Sequence, residues 1–293
     1  MCHGTTFLSQ TEQVSLPLTA VIPVSLFHDG PFRWRTSTRR IIDAEWLQFD
    51  AQSIDADLAE KRRILRDHRD DAFVLVPGSD AACEEVADLV SAALKTENRP
   101  PLAPDDRHPL ERAARCVHED LVVLRRQREG WMMTAGVVCF PTRWSPAAKI
   151  GRSMAEIHGP VPRYQSVAAT VDRLFDRLRP GAIVWRPNWS LVGDGDLRLP
   201  VENRQAPTVL PRDPRRNLWL RAERQTVRRL SDNDDHILFT IRIHRWRLAE
   251  VLDEIEAALI SELRALPDDV AAYKNLEEWR DELVAALVAG DIG

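Results

Sequence analysis

Cysteine is scarce in this chain and nowhere paired: four residues, at positions 2, 83, 116 and 139, with no CxxC among them. That spacing excludes a disulfide framework, a zinc ribbon and a cysteine-ligated iron–sulfur cluster, each of which needs thiolates close together. Tyrosine is rarer still, with two residues against nine tryptophans. No uninterrupted apolar run approaches the ~18 residues of a membrane span, and the start, MCHGTTFLSQTEQ, has neither a basic n-region nor a sustained apolar stretch. The expectation is a soluble cytoplasmic protein with no membrane partner. Positive charge is not in excess either: 40 Lys+Arg against 45 Asp+Glu gives a formal charge of -5. That balance argues against nucleic acid as a partner held by bulk electrostatics. GxxxxGK[ST], GxGxxG, HExxH and GxSxG are all missing, so nucleotide, zinc-peptidase and serine-hydrolase templates lack their physical core.

What is present is an ordinary globular composition, 44% hydrophobic and 29% charged over 293 residues. A chain of that length buries about three quarters of its unfolded surface and needs no staples. Residues 1–40 carry Pro17, Pro23, Gly30 and Pro31 with little period and read as an N-terminal arm. From Asp43 the period becomes helical: IDADLAEKRRILRDHR and SDAACEEVADLVSAALK read as amphipathic helices, followed by a short one from Leu110 to Val117. The middle then changes to strands. EDLVVLRRQ and WMMTAGVVCF form a hairpin about Gly130, and AIVWRPNWSL, NLWLRAERQTV and HILFTIRIHRW follow, with the helix QSVAATVDRLFDRL between. Pro187 places its strand at an edge or a bulge. LAEVLDEIEAALISELRAL and DVAAYKNLEEWRDELVAALVAG read as a closing helix pair. The class is α+β, with a main domain over 41–250 and the helix pair of 251–293 packed on it.

Side chains alternate across a strand, so parity sorts these residues by face. In HILFTIRIHRW, Ile237, Phe239, Ile241 and Ile243 make a core row, while Leu238, Thr240, Arg242, His244 and Trp246 make a mixed face. The mixed face is either a solvated surface or the wall of a pocket in which Arg and Trp hold an anionic, flat or apolar ligand. His158, in AEIHGPVPRY, sits at a helix end between rigid prolines; it reads either as a capping group or as a ligand for a metal or haem iron, with His244 as the second candidate. Cys116-Val117-His118-Glu119-Asp120 gathers thiol, imidazole and carboxylates, but adjacent side chains point apart, and it is set aside.

GWMMTAGVVCFPTRWSPAAKIG, IHGPVPRY, VDRLFDRLRPG, VWRPNWSL, LRAERQTVRRL and ILFTIRIH together resemble the family of haem-dependent oxidative N-demethylases, over about Phe32 to Leu248. The resemblance implies a PAS-like antiparallel sheet with flanking helices and a haem b pocket. It also implies O2-dependent removal of an N-methyl group, as formaldehyde, from a small secondary amine of the dimethylamine kind. Electrons would come from a separate NADPH-dependent flavin and iron–sulfur reductase, this chain itself binding no flavin, iron–sulfur cluster or nucleotide. On block membership and chemistry together, His158 is the expected iron ligand; Arg143, Arg186 and Arg224 are placed near the propionates, and Trp189 also lines the cofactor site. Asn188, Glu223 and Gln225 orient the amine or the oxygen. His244-Arg245-Trp246 is more basic and aromatic than the family pattern, and either closes the pocket over a different substrate or packs on the last helices. A non-catalytic haem-binding PAS-like sensor or carrier, and a relative without cofactor, are the rival readings. The terminal helices leave a homo-oligomer open.

Overall fold

The period-two segments pair into one seven-stranded antiparallel sheet, as seen in a computed structural model of the chain. It describes residues 26, 27, 32, 38–201, 210–233 and 235–290. The strands are β1 (Arg39–Ile41), β2 (Phe73–Leu75), β3 (Asp120–Gln127), β4 (Gly130–Val137), β5 (Ile183–Val192), β6 (Trp219–Arg229) and β7 (His236–Arg247). Their order across the sheet is β1-β5-β6-β7-β3-β4-β2. The hairpin turns at Gly130, whose φ of 122° suits a residue without Cβ. β1 pairs β5 only from Ile183 to Trp185, so Pro187 lies where the outer side of β5 has no ladder to lose. The two flanking strands, of three residues each, escaped the sequence reading because so short a segment shows no period.

The helices are α1 (Ile54–Asp67), α2 (Arg69–Ala72), α3 (Asp80–Thr96), α4 (Pro109–Ala114), α5 (Met154–Ile157), α6 (Gln165–Arg177), α7 (Pro214–Asn217), α8 (Leu248–Ala265), α9 (Asp268–Tyr273) and α10 (Arg280–Ala289). Residues 1–40 fall mostly outside the described residues, though Leu26 and Phe27 are buried against the last helices. The closing segment forms three helices, not the expected two. Asn275 ends α9 in a left-handed conformation, φ 56°, with its N–H on the Ala272 carbonyl (2.9 Å) and that of Leu276 on Ala271 (2.8 Å). This Schellman-type closure stops the helix.

Register divides the sheet into two faces, because residues directly opposite one another share a side. On one face Thr226 opposes Thr240, Arg224 opposes Arg242 and Ala222 opposes His244. It is covered by α1, α3 and α4, through Ile64, Leu65, Val86 and Leu110 against Leu121, Val123 and Leu238. Toward the other end of that face, α8–α10 pack on Trp189, Leu220 and Trp246. On the opposite face Glu223 opposes Ile243 and Asn188, and Gln225 opposes Ile241 and Arg186. There α6 and the α5 segment pack against Val122, Leu124, Val184, Val227 and Ile237.

The mixed face of β7 is therefore neither solvated nor a ligand wall. Asp57 on α1 accepts hydrogen bonds from Arg242 Nη1 and His118 Nδ1, each at 2.8 Å, and all three residues are buried. Burial opposes Asp57's charge, yet the His118 bond and the Arg242 guanidinium outweigh it and lower its pKa. The Thr226 and Thr240 hydroxyls meet at 2.6 Å. His118-Glu119-Asp120, set aside on sequence, supplies much of this interior: Glu119 Oε1 accepts the Gln48 N–H at 3.0 Å, and buried Lys61 pairs with Asp120 at 3.3 Å. Adjacent side chains do point apart, but each finds its partner on a different element.

Candidate functional site

The opposite face carries a carboxylate with several donors, together with unpartnered guanidinium and phenol atoms. Asp120 accepts the backbone N–H groups of Cys139 (3.0 Å) and Phe140 (2.8 Å), turning the chain after β4 so that Thr142 and Arg143 come over the ends of β5 and β6. Glu223 on β6 then takes three donors. Thr142 Oγ1 donates to Oε1 at 2.6 Å, while Asn188 Nδ2 (3.2 Å) and Gln225 Nε2 (2.7 Å) donate to Oε2. Arg186 stands beside them on β5, its guanidinium acting on the titration of His158, Tyr164 and Tyr273.

Arg186 forms no ion pair among the described residues, its Nε is buried without a partner, and burial draws its pKa down. Arg143 is similar: Nε buried and unpartnered, pKa lowered by desolvation, backbone left-handed at φ 59°. Two half-buried guanidiniums that form no ion pair among the described residues, Arg186 with the Glu223 charge acting on it, are able to receive anionic groups.

His158 ends the one-turn helix α5, whose Ser153 and Glu156 cap each other reciprocally. Its Nδ1 lies 2.9 Å from the Met154 carbonyl. A carbonyl can only accept, so Nδ1 carries the proton and Nε2 keeps its lone pair. The ring is stacked on Tyr164 at 4.5 Å between centroids and 11° between planes. Burial depresses its pKa to about 4, which keeps the imidazole neutral. Oriented by a backbone carbonyl and open at Nε2, it has the form of a metal-binding histidine. Met154 and Ile157 on its own helix are half-buried, as are Trp144, Ile150 and Phe239 packed against the same apolar cluster. The Tyr164 hydroxyl is buried without a partner and its pKa is pushed up to about 12 by desolvation.

The closing helices contribute as well. Tyr273 ends α9 and its titration responds to Glu223 and Arg186. Lys274 follows, donating to the Trp189 carbonyl at 2.6 Å over that residue's ring. An exposed two-bond pair, Arg163 to Asp269 at 2.8 and 3.0 Å, ties the loop after His158 to α9. The sequence reading missed Thr142, Tyr164, Tyr273 and Lys274. Rarity was the available signal: the chain has two tyrosines, and both come here.

Among the residues expected at a site, His158, Arg186, Asn188, Glu223 and Gln225 come together on this face, and Arg143 follows Thr142 in the segment after β4. Arg224, Trp189 and His244 do not. Arg224 lies on the other face, donating to the Trp46 carbonyl at 2.9 Å and to that of Glu45. Trp189 is buried with Phe27 edge-on at 5.2 Å. His244 Nε2 bonds Gln48 at 2.9 Å and its ring stacks on Trp246, which packs with α8. His244 and Trp246 are thus packed, while Arg245 points to the other side and donates to the Gly195 carbonyl at 2.6 Å.

A groove of about 510 Å³ opens elsewhere, beside α1, lined by Asp57, Glu60, Arg63, Asp196, Arg198 and Arg245. Its walls carry charges of both signs and none of the imidazole and aromatic groups gathered at His158. Among the described residues no cluster of three or more His, Cys, Asp or Glu could hold a metal ion by itself, and no helix is long and apolar enough to cross a membrane. One imidazole lone pair, two unpaired guanidiniums and an open apolar wall fit a flat, dianionic metal macrocycle of the haem type. Residues 91–284, well over half of the chain, match the family model described as haem-dependent oxidative N-demethylase, alpha subunit-like. The match begins inside α3 and runs into α10, so it takes in every element of this site.

Proposed function

As the chain belongs to the haem-dependent oxidative N-demethylase, alpha subunit-like family, we propose that it binds haem b against the Glu223 face of a PAS-like sheet and oxidatively demethylates a small secondary amine. The observation that carries this reading is His158: Nδ1 committed to the Met154 carbonyl, Nε2 open, and the ring plane fixed on Tyr164. His158 Nε2 is the iron ligand. Arg143 and Arg186 pair with the propionates, where a planar fork suits a carboxylate. Haem, when bound, supplies dioxygen activation at its iron, with electrons from a separate NADPH-dependent reductase.

This chain's own residues bind and orient. Glu223 offers a carboxylate to the N–H of the substrate ammonium, and the Asn188 and Gln225 amides hold that carboxylate in place. Trp144, Ile157 and Phe239 present the apolar surface on which N-methyl groups exclude water. Tyr273 and Lys274, brought in by α9, stand beside Glu223 and Arg186.

Full-length protein made with haem available is expected to be red with a strong Soret band, and His158→Ala to lose or shift that band. An unchanged spectrum in His158→Ala would overturn the ligand assignment. Formaldehyde release from dimethylamine, with NADPH and a supplied reductase, tests the reaction. A red protein with no turnover of any secondary amine would favour a haem sensor or carrier, and a colourless one a relative without cofactor.

A further inference from the structure

Arg221 is 1% exposed, and among the described residues its guanidinium forms no ion pair with a carboxylate. Its Nη groups donate to the carbonyls of Asp196 (3.1 Å), Phe140 (3.0 Å) and Leu197 (2.8 Å), and its Nε donates to Thr142 Oγ1 at 2.9 Å. Arginine has no acceptor, so Thr142 must accept from Arg221 and turn its own proton outward. Among the described residues that proton goes to Glu223 Oε1, at 2.6 Å. The hydroxyl is thus a one-way link between a buried cation and the site carboxylate, in an interior where such chains reinforce each other. With Asn188 and Gln225 both on Oε2, three of the roughly four acceptor positions of the carboxylate are filled. The remaining one is on Oε1.

We propose that Thr142 and Arg221 are positioning residues that lock Glu223 in one rotation, so that Oε1 presents a single acceptor direction to the cationic nitrogen of the ligand. This rests on the reading of Glu223 as the partner of the substrate ammonium. It goes further in assigning ligand orientation to two residues that do not touch the ligand, and in predicting that one N–H of the ammonium is engaged by the protein.

Thr142→Val keeps the shape and removes the link; Thr142→Ser keeps the link. In the full-length, haem-loaded protein, dimethylammonium affinity is followed by the Soret shift, and the crystal structures of both variants locate the Glu223 carboxylate. Expected are a dissociation constant raised about tenfold or more in Thr142→Val, wild-type affinity restored by Thr142→Ser, and Glu223 rotated only in the valine variant. A Glu223 carboxylate unmoved in Thr142→Val overturns the positioning role whatever the affinity. A rotated carboxylate combined with no dimethylammonium binding by the wild type upholds the positioning role and refutes the ammonium reading. Should Thr142→Val fail to fold, Thr142→Ala with the same two measurements decides.

Discussion

Replacing Asp57 with alanine should be among the most damaging single changes away from the candidate site. The carboxylate holds Arg242 and His118 at 2.8 Å each, with Arg242 3% and His118 0% exposed. Without it, a buried guanidinium keeps, among the described residues, the Ser53 hydroxyl at 3.3 Å. Removing one partner of a buried pair typically costs about 3–5 kcal/mol, a large part of the ~5–15 kcal/mol that holds a domain folded. For a chain of this size that lowers the melting temperature by roughly 5–8 °C. Urea denaturation of the full chain measures the loss directly. Arg242→Met on its own leaves Asp57 with His118 alone, whereas the double variant Asp57→Leu/Arg242→Met removes both charges and should recover part of the stability, the rest being lost with the His118 bond. A loss below about 1 kcal/mol in Asp57→Ala would refute the reasoning, since it would mean that water already screens the pair. A double variant no better than Asp57→Ala would refute the assignment of the cost to the stranded charge.

Three further outcomes can be measured. The haem-free protein should weaken as pH falls from about 6.5 towards about 4. His158 has its pKa lowered to about 4 and His118 is lowered as well, so over that window the unfolded chain takes up protons that the folded one refuses, and stability drops with the proton difference. For His158 alone this is on the order of 3 kcal/mol, and His158→Phe should flatten the urea midpoint between pH 7 and 4.5. Gly195→Ala should destabilise by about 1–3 kcal/mol, because its Cβ would come within 2.6 Å of the Trp219 ring; a melting temperature equal to wild type would show that the loop yields. Alkylation at pH 8 should leave Cys83 and Cys139 unmodified in the folded protein, since burial pushes both thiols up to about 12; rapid labelling would show that the core opens.

Strand positions, the hairpin at Gly130 and the α+β class were legible because they follow from period and turn chemistry, which are local. The assignment of face to function was not. Parity correctly separated Ile237, Phe239, Ile241 and Ile243 from Arg242 and His244, but it cannot say which layer lies on either side. The polar-looking row is sealed by α1, about 180 residues away in sequence, and the apolar row lies beside Glu223 and Arg186. Arg224 shows the same limit: one place along the strand from Glu223, it serves the backbone of Glu45 and Trp46 on the far side. Lys274 lay beyond reach because the packing of α9 brings it to β5, and for Tyr273 the sequence offered rarity alone.

β6 carries two separate duties on alternate residues: Arg221, Glu223 and Gln225 on one side, Ala222, Arg224 and Thr226 on the other. Variation along this strand is therefore divided by parity. If Glu223 and Gln225 hold the ligand as proposed, changes at even positions alter how much protein survives folding, while changes at those two alter what a folded protein binds. A lineage drifting towards a new ligand can explore those odd positions without re-solving the interior, so the backbone of β6 separates heritable robustness from heritable specificity at a spacing of 3.3 Å or so per residue.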